Sequence, residues 1–68
     1  MQDLTKQELC VLNLVSKGLI NKEIANELNI SVATTKAHLE SIYKKLNVHN
    51  RVQAVVRAIS LDIIKVSK

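Results

Sequence analysis

Asn21–Leu46, NKEIANELNISVATTKAHLESIYKKL, is the stretch around which this chain is organised. It reads as a short helix, a tight turn and a longer helix. Ile24, Ala25 and Leu28 give the first helix, over about residues 21–28, one buried side. Asn29 tolerates the left-handed backbone that ends many helices, and Ser31 offers a hydroxyl to cap the next one. Val32, Thr35, Leu39, Ile42 and Leu46 then recur at steps of three and four, which is the stripe of an amphipathic helix over 31–46. Two helices joined by so short a turn form a helix-turn-helix, an arrangement whose second helix can enter a DNA major groove.

The outward side of that second helix carries the functional question. Lys36, Ala37, Glu40 and Lys44 share one face, and Thr34, His38, Ser41 and Lys45 flank it. Lysine can donate to guanine acceptors and glutamate can accept from the cytosine amino group. Threonine, serine and lysine can hold phosphate oxygens. Taken alone, the face fits a base-reading surface and equally fits the solvated side of a small helical domain.

Charge placement favours the first of these. The net charge is +4, and it is unevenly spread. Residues 32–57 carry Lys36, Lys44, Lys45, Arg51 and Arg57 against Glu40 alone; residues 1–31 carry Lys6, Lys17 and Lys22 against Asp3, Glu8, Glu23 and Glu27. The positive field therefore lies on the longer helix and the residues after it, as on a polyanion-binding surface.

Working outward, the flanks supply two more helices. Thr5 and Glu8 make a capping box, with Leu4 and Leu9 as its hydrophobic staple. A helix over about 5–17 comes next, with Leu9, Leu12 and Val15 facing the core and Gly18 ending it. Asn21 is the expected N-cap of the next helix, and Lys22 at its start can reach a phosphate. Glu23 and Glu27 are expected to face solvent or a cation of the domain. Asn47 is expected to end the 31–46 helix. Asn50, with Gln53 three residues on, starts a last helix over about 50–60. That helix holds more apolar surface than one core stripe needs. Val52, Val55, Val56 and Ile59 are candidates for a helix-to-helix dimer contact, unless the small core absorbs them.

Composition agrees. Sixty-eight residues with no proline, one glycine and one aromatic residue, Tyr43, describe a single all-α domain with an aliphatic core. They offer no aromatic platform for stacking single-stranded bases. Cys10 is the lone cysteine, excludes an internal disulfide and reads as a small core or near-core residue. No stretch is long and apolar enough to cross a bilayer, and the N-terminus lacks a signal-peptide pattern; a cytoplasmic setting is expected. His38, His49 and Cys10 do not make a convergent metal site, and neither a Gly-rich phosphate loop nor a nucleophile on a strained turn is visible. No cofactor, metal or enzymatic activity is expected.

Leu4-Thr5, Glu8, Val11-Leu12, Gly18, Asn21 to Ala25, Leu28, Ile30-Ser31, Thr34, Lys36, His38, Ile42, Lys45-Leu46, Val48, Asn50-Arg51 and Gln53 to Val55 together resemble the LuxR-type helix-turn-helix domain. This is the C-terminal DNA-binding module of LuxR, NarL/FixJ and GerE-like bacterial regulators. The likeness runs from Leu4 to about Ile59. Residues 33–46 are also similar to the large maltose-type ATP-dependent activators of the same superfamily. The resemblance implies a four-helix fold, with the third helix in the major groove and the fourth pairing two subunits. It implies double-stranded DNA as partner and, on a longer parent chain, a sensor or receiver domain. By analogy, Lys36, Ala37 and Glu40 face bases. Lys22, Thr34, Lys45 and Arg51 lie near phosphates or brace the site, with His38 beside them.

Departures from the family pattern are local. Gln7 and Cys10 stand where an arginine and a glutamate often pair, so neutral packing is expected there. Thr35 replaces a usual valine, and its hydroxyl needs a partner such as a backbone carbonyl one turn back. Asn47 replaces a usual glycine. Glu40 is acidic where a cation or neutral residue is common. The rival reading is a helical protein-interaction module that pairs with another regulator and does not bind DNA.

Overall fold

The computed structural model describes residues 3–64 and contains four helices: α1 (Lys6–Ser16), α2 (Asn21–Leu28), α3 (Val32–Leu46) and α4 (Arg51–Ser60). The expected boundaries differ by single residues because the expected first residues Thr5, Ser31 and Asn50 act as caps, with extended backbone. Residues 1–2 and 65–68 lie outside the described residues.

Helix starts obey the residue chemistry. The Thr5 hydroxyl accepts from the Glu8 amide at 3.1 Å, and the Glu8 carboxylate accepts from the Thr5 amide at 2.8 Å. Ser31 caps α3 through the Thr34 amide, and Asn50 caps α4 through the Gln53 amide. One expected cap differs. Asn21 is the first residue of α2 and Ile20 holds the cap position, with its N–H donating to the Glu23 carboxylate at 2.9 Å. Glu23 is exposed, as expected, and one of its oxygens accepts from this backbone donor. At α4 the box is also offset, since the Gln53 side chain accepts from the His49 amide and not from Asn50.

All four helices end alike. Gly18, Asn29, Asn47 and Asp62 take positive φ, and the residue after each donates back to the carbonyl five positions earlier: Leu19 to Leu14, Ile30 to Ala25, Val48 to Tyr43 and Ile63 to Ala58. This closing turn uses up carbonyls a helix would otherwise leave open. Only one of the four positions is glycine; the others rely on the tolerance of Asn and Asp for this backbone.

α3 packs against each of the other three helices. Val11, Leu12, Ile24, Ile42, Ala54 and Ala58 are wholly buried, joined by Val15, Leu39, Leu46, Val48 and Ile64. On α1 the buried edge is Val11, Leu12 and Val15; Leu9 and Leu4 of the expected staple are half-buried. Two expectations are corrected. Cys10 is exposed, because the buried edge of α1 runs through Glu8, Val11, Leu12 and Val15 and position 10 falls outside it. Neutral packing at Gln7 and Cys10 therefore does not replace an ion pair. Val32 is 40% exposed, since the buried stripe of α3 begins at Thr35, one turn into the helix. Thr35 itself is fully buried, and its hydroxyl donates to the Ser31 carbonyl at 3.1 Å.

Candidate nucleic-acid interface

Burial of Thr35, Leu39, Ile42 and Leu46 fixes the rotation of α3 about its axis. The opposite side must then face out. Thr34, Lys36, Ala37, Glu40 and Lys44 are all exposed, with His38 half-buried at the edge. None of the domain's other helices covers this ridge. It runs for about 15 Å, from Thr34 to Lys44 at about 1.5 Å per residue, which is enough to span several base pairs of a major groove. Lys22 is exposed near the start of α2. Thr34 accepts from the Ser31 hydroxyl at 2.8 Å, which leaves its own hydroxyl proton available to a phosphate.

Three side chains expected at the DNA backbone have partners within the domain. Lys45 Nζ lies 2.7 Å from Glu8 Oε1 and 3.3 Å from the Asp3 carbonyl, so two of its three donors are already spent. Ser41 Oγ donates to Glu8 Oε2 at 2.6 Å, and its single hydroxyl proton is used there. Arg51 donates to the Leu19 carbonyl and, at 3.4 Å, to Asn21 Oδ1. Ser41 and Lys45 brace α3 against α1, and Arg51 braces the start of α2. Bracing was one of the two roles the sequence left open for Lys45 and Arg51.

Glu8 is the residue whose role the sequence concealed. Its side chain is 5% exposed and joins the start of α1 to the C-terminal half of α3. Burial works against its charge. Hydrogen bonds from Lys45, Ser41 and the Thr5 amide, with the Lys45 charge, outweigh that and lower its pKa from the usual 4.5 to about 2. The capping box announced Glu8 as a local residue. Its second oxygen, left over after capping, was the only hint of a longer-range partner.

The last helix does not bury all its apolar surface. Ala54 and Ala58 face the core and Val55 is half-buried, while Val52 and Val56 are 70% and 61% exposed and Ile59 is 38% exposed. The core therefore does not take up the surplus. Among the described residues no group of three His, Cys, Asp or Glu side chains is placed to hold a metal ion. Among the same residues no helix is long and apolar enough to cross a membrane.

With this geometry in hand, residues 2–58 match the family described as bacterial regulatory proteins, luxR family. The chain is 50% identical over 62 residues to the glycerol metabolism activator of Pseudomonas putida, covering 91% of this chain and 28% of that protein. It is 49% identical over 53 residues to the nitrate/nitrite response regulator protein NarP of Escherichia coli K12, covering 78% of this chain and 25% of that one. Among solved structures it superimposes on the response regulator ChrA of a heme-sensing two-component system with a TM-score of 0.90 and 41% identity, over 94% of this chain and 32% of ChrA. It also superimposes on the transcription factor GerE with a TM-score of 0.89 and 27% identity, over 97% of this chain and all of GerE. The chain thus spans between a quarter and a third of the longer relatives and the whole of the short one.

Proposed function

The chain belongs to the luxR family of bacterial regulatory proteins, as a helix-turn-helix DNA-binding domain, and from that premise we propose that it binds operator DNA as a dimer, each copy laying α3 in a major groove. Lys36, Ala37, Glu40 and Lys44 read base edges, and Lys22, Thr34 and His38 meet phosphates. Ser41, Lys45 and Arg51 keep the helix at a fixed angle. The observation that carries this reading is the exposed α3 ridge, small at Ala37 and cationic at Lys36 and Lys44, left uncovered by a fold whose other three helices all support it.

The dimer contact is assigned to Val52, Val56 and Ile59 on α4. Val55 lies at its inner edge. The three exposed residues recur at steps of four and three, so they form an apolar strip along one side of the helix that a second copy can cover isologously. The parent regulator works in the bacterial cytoplasm, without enzymatic activity in this domain, and joins it to a receiver or sensor domain. Response regulators among the relatives, each several times longer than this chain, support that arrangement.

A second reading has one observation in its favour: the same apolar strip suits a module that pairs with another regulator without touching DNA. Binding to duplexes of several sequences, titrated with salt, separates the two. Operator binding gives affinity that falls steeply as salt rises, by roughly 0.9 log units per neutralised phosphate for each log unit of salt. A slope near zero on every sequence would leave only the interaction module.

A further inference from the structure

The ridge of α3 holds one residue that works against general affinity for DNA. Glu40 is exposed on the reading face, with Lys36 four residues before it and Lys44 four after. Such spacing permits ion pairs on both sides. Yet among the described residues the Glu40 side chain makes no hydrogen bond or ion pair, and the ion pair formed is Lys45 with Glu8. Its carboxylate is therefore left to meet whatever the groove presents.

The geometry points to Glu40 as the residue that selects cytosine and, by the same charge, rejects sequences lacking it. This rests on α3 lying in the major groove. A carboxylate can only accept hydrogen bonds. In the major groove guanine offers two acceptors and thymine one acceptor and a methyl group; only cytosine and adenine offer an amino donor. The adenine amino group is flanked by acceptors on both sides, its own N7 and the O4 of the paired thymine. The cytosine amino group has an acceptor on one side only, the O6 of its paired guanine. Cytosine is thus the base at which a carboxylate gains a donor with least repulsion. That paired guanine O6, with N7, is also the preferred partner of lysine. Four helical residues span about 6 Å, and base pairs stack about every 3.4 Å. Glu40 and its neighbouring lysines therefore address positions within roughly two base-pair steps of one another. The half-site carries a cytosine under Glu40 and a guanine under a lysine at or within about two steps of it.

Over guanine or thymine the same carboxylate lies between two rows of phosphates with no donor to meet, and over adenine it meets one flanked by acceptors. The two lysines draw the helix to every duplex, and Glu40 makes that attraction conditional. It raises discrimination by weakening the wrong complexes.

The test compares this chain with Glu40→Gln, which keeps size and exposure while removing the charge. Duplexes bound by the original chain are first selected from a random pool. Each base pair of the selected site is then replaced in turn, and both proteins are titrated against the set and against random-sequence duplex. The expected result is one C·G pair whose replacement costs the original chain about tenfold or more. In Glu40→Gln that loss shrinks or passes to an A·T preference, binding to random duplex tightens, and the other positions keep their profile. Equal melting temperatures of the two proteins exclude a folding effect. A base profile and random-duplex affinity identical in the two proteins would overturn the assignment while leaving DNA reading by α3 intact. Failure of the original chain to enrich any sequence, with salt-independent binding, would overturn both.

Discussion

Replacing Glu8 by glutamine removes one charge and tests how α3 is held. The carboxylate accepts from the Thr5 amide at 2.8 Å and Lys45 at 2.7 Å on one oxygen, and from Ser41 at 2.6 Å on the other. Glutamine has one acceptor oxygen, so its amide nitrogen must face a donor on one side. The magnitude comes from the lowered pKa. A fall from 4.5 to about 2, at about 1.4 kcal/mol per pKa unit, corresponds to on the order of 3 kcal/mol of stability. A domain of this length has roughly 3–10 kcal/mol in total, so this one group carries a large share. The folded-state pKa lies below the unfolded one. The contribution is therefore complete above about pH 4.5 and is lost as the pH falls from there towards about 2. Urea unfolding followed by circular dichroism, repeated across that window, reads both quantities. Glu8→Gln is expected to lose about 2–3 kcal/mol at pH 7 and to lack this part of the acid sensitivity. Ser41→Ala, which removes one of the three donors, is the milder variant and is expected to lose about 1 kcal/mol. A Glu8→Gln protein within about 0.5 kcal/mol of the original at pH 7, or one with an unchanged acid profile, refutes the reasoning.

Lys36→Ala is expected to weaken binding to the selected operator by roughly 1–3 kcal/mol and to relax preference at one position, with little change in melting temperature; competition titration checks it. Asn47 holds φ 57°, so Asn47→Ala is expected to cost about 1 kcal/mol of stability while Asn47→Gly costs none, measured by urea unfolding. A charge at Val56, 61% exposed, as in Val56→Glu, is expected to leave the monomer's melting temperature unchanged. It should abolish dimers in sedimentation analysis and remove cooperative binding to paired half-sites.

How much of this was legible in the sequence depends on the range of each interaction. Helix starts at Thr5, Ser31 and Asn50 and helix ends at Gly18, Asn29 and Asn47 are decided within five residues, and they read correctly. The α2 cap was missed because two local donors and acceptors competed. Asn21 is the better capping residue by type, but the Glu23 carboxylate three positions after Ile20 closes the turn first. The ridge of α3 was legible because four buried positions fix the rotation of a regular helix. Periodicity ends with the helix it describes, so it overextended the buried stripe to Val32, which lines an open cleft beside Ala25 and Asn26 of α2 and is 40% exposed. The partners of Lys45, Ser41 and Arg51 lie 37–42, 33 and 30–32 residues away. Nothing local distinguishes a lysine that faces a phosphate from one that faces Glu8. Cys10 was misplaced for a related reason: its residue type favours burial, but the helix turns it outward.

The most direct measurement is an amide chemical-shift map of this domain with its selected duplex added. If α3 reads the groove, the largest changes fall on Lys22, Thr34, Lys36, Ala37, His38, Glu40 and Lys44, with α1 nearly silent. Changes confined to Val52, Val56 and Ile59, or spread over α1 with the α3 ridge unaffected, would contradict that claim.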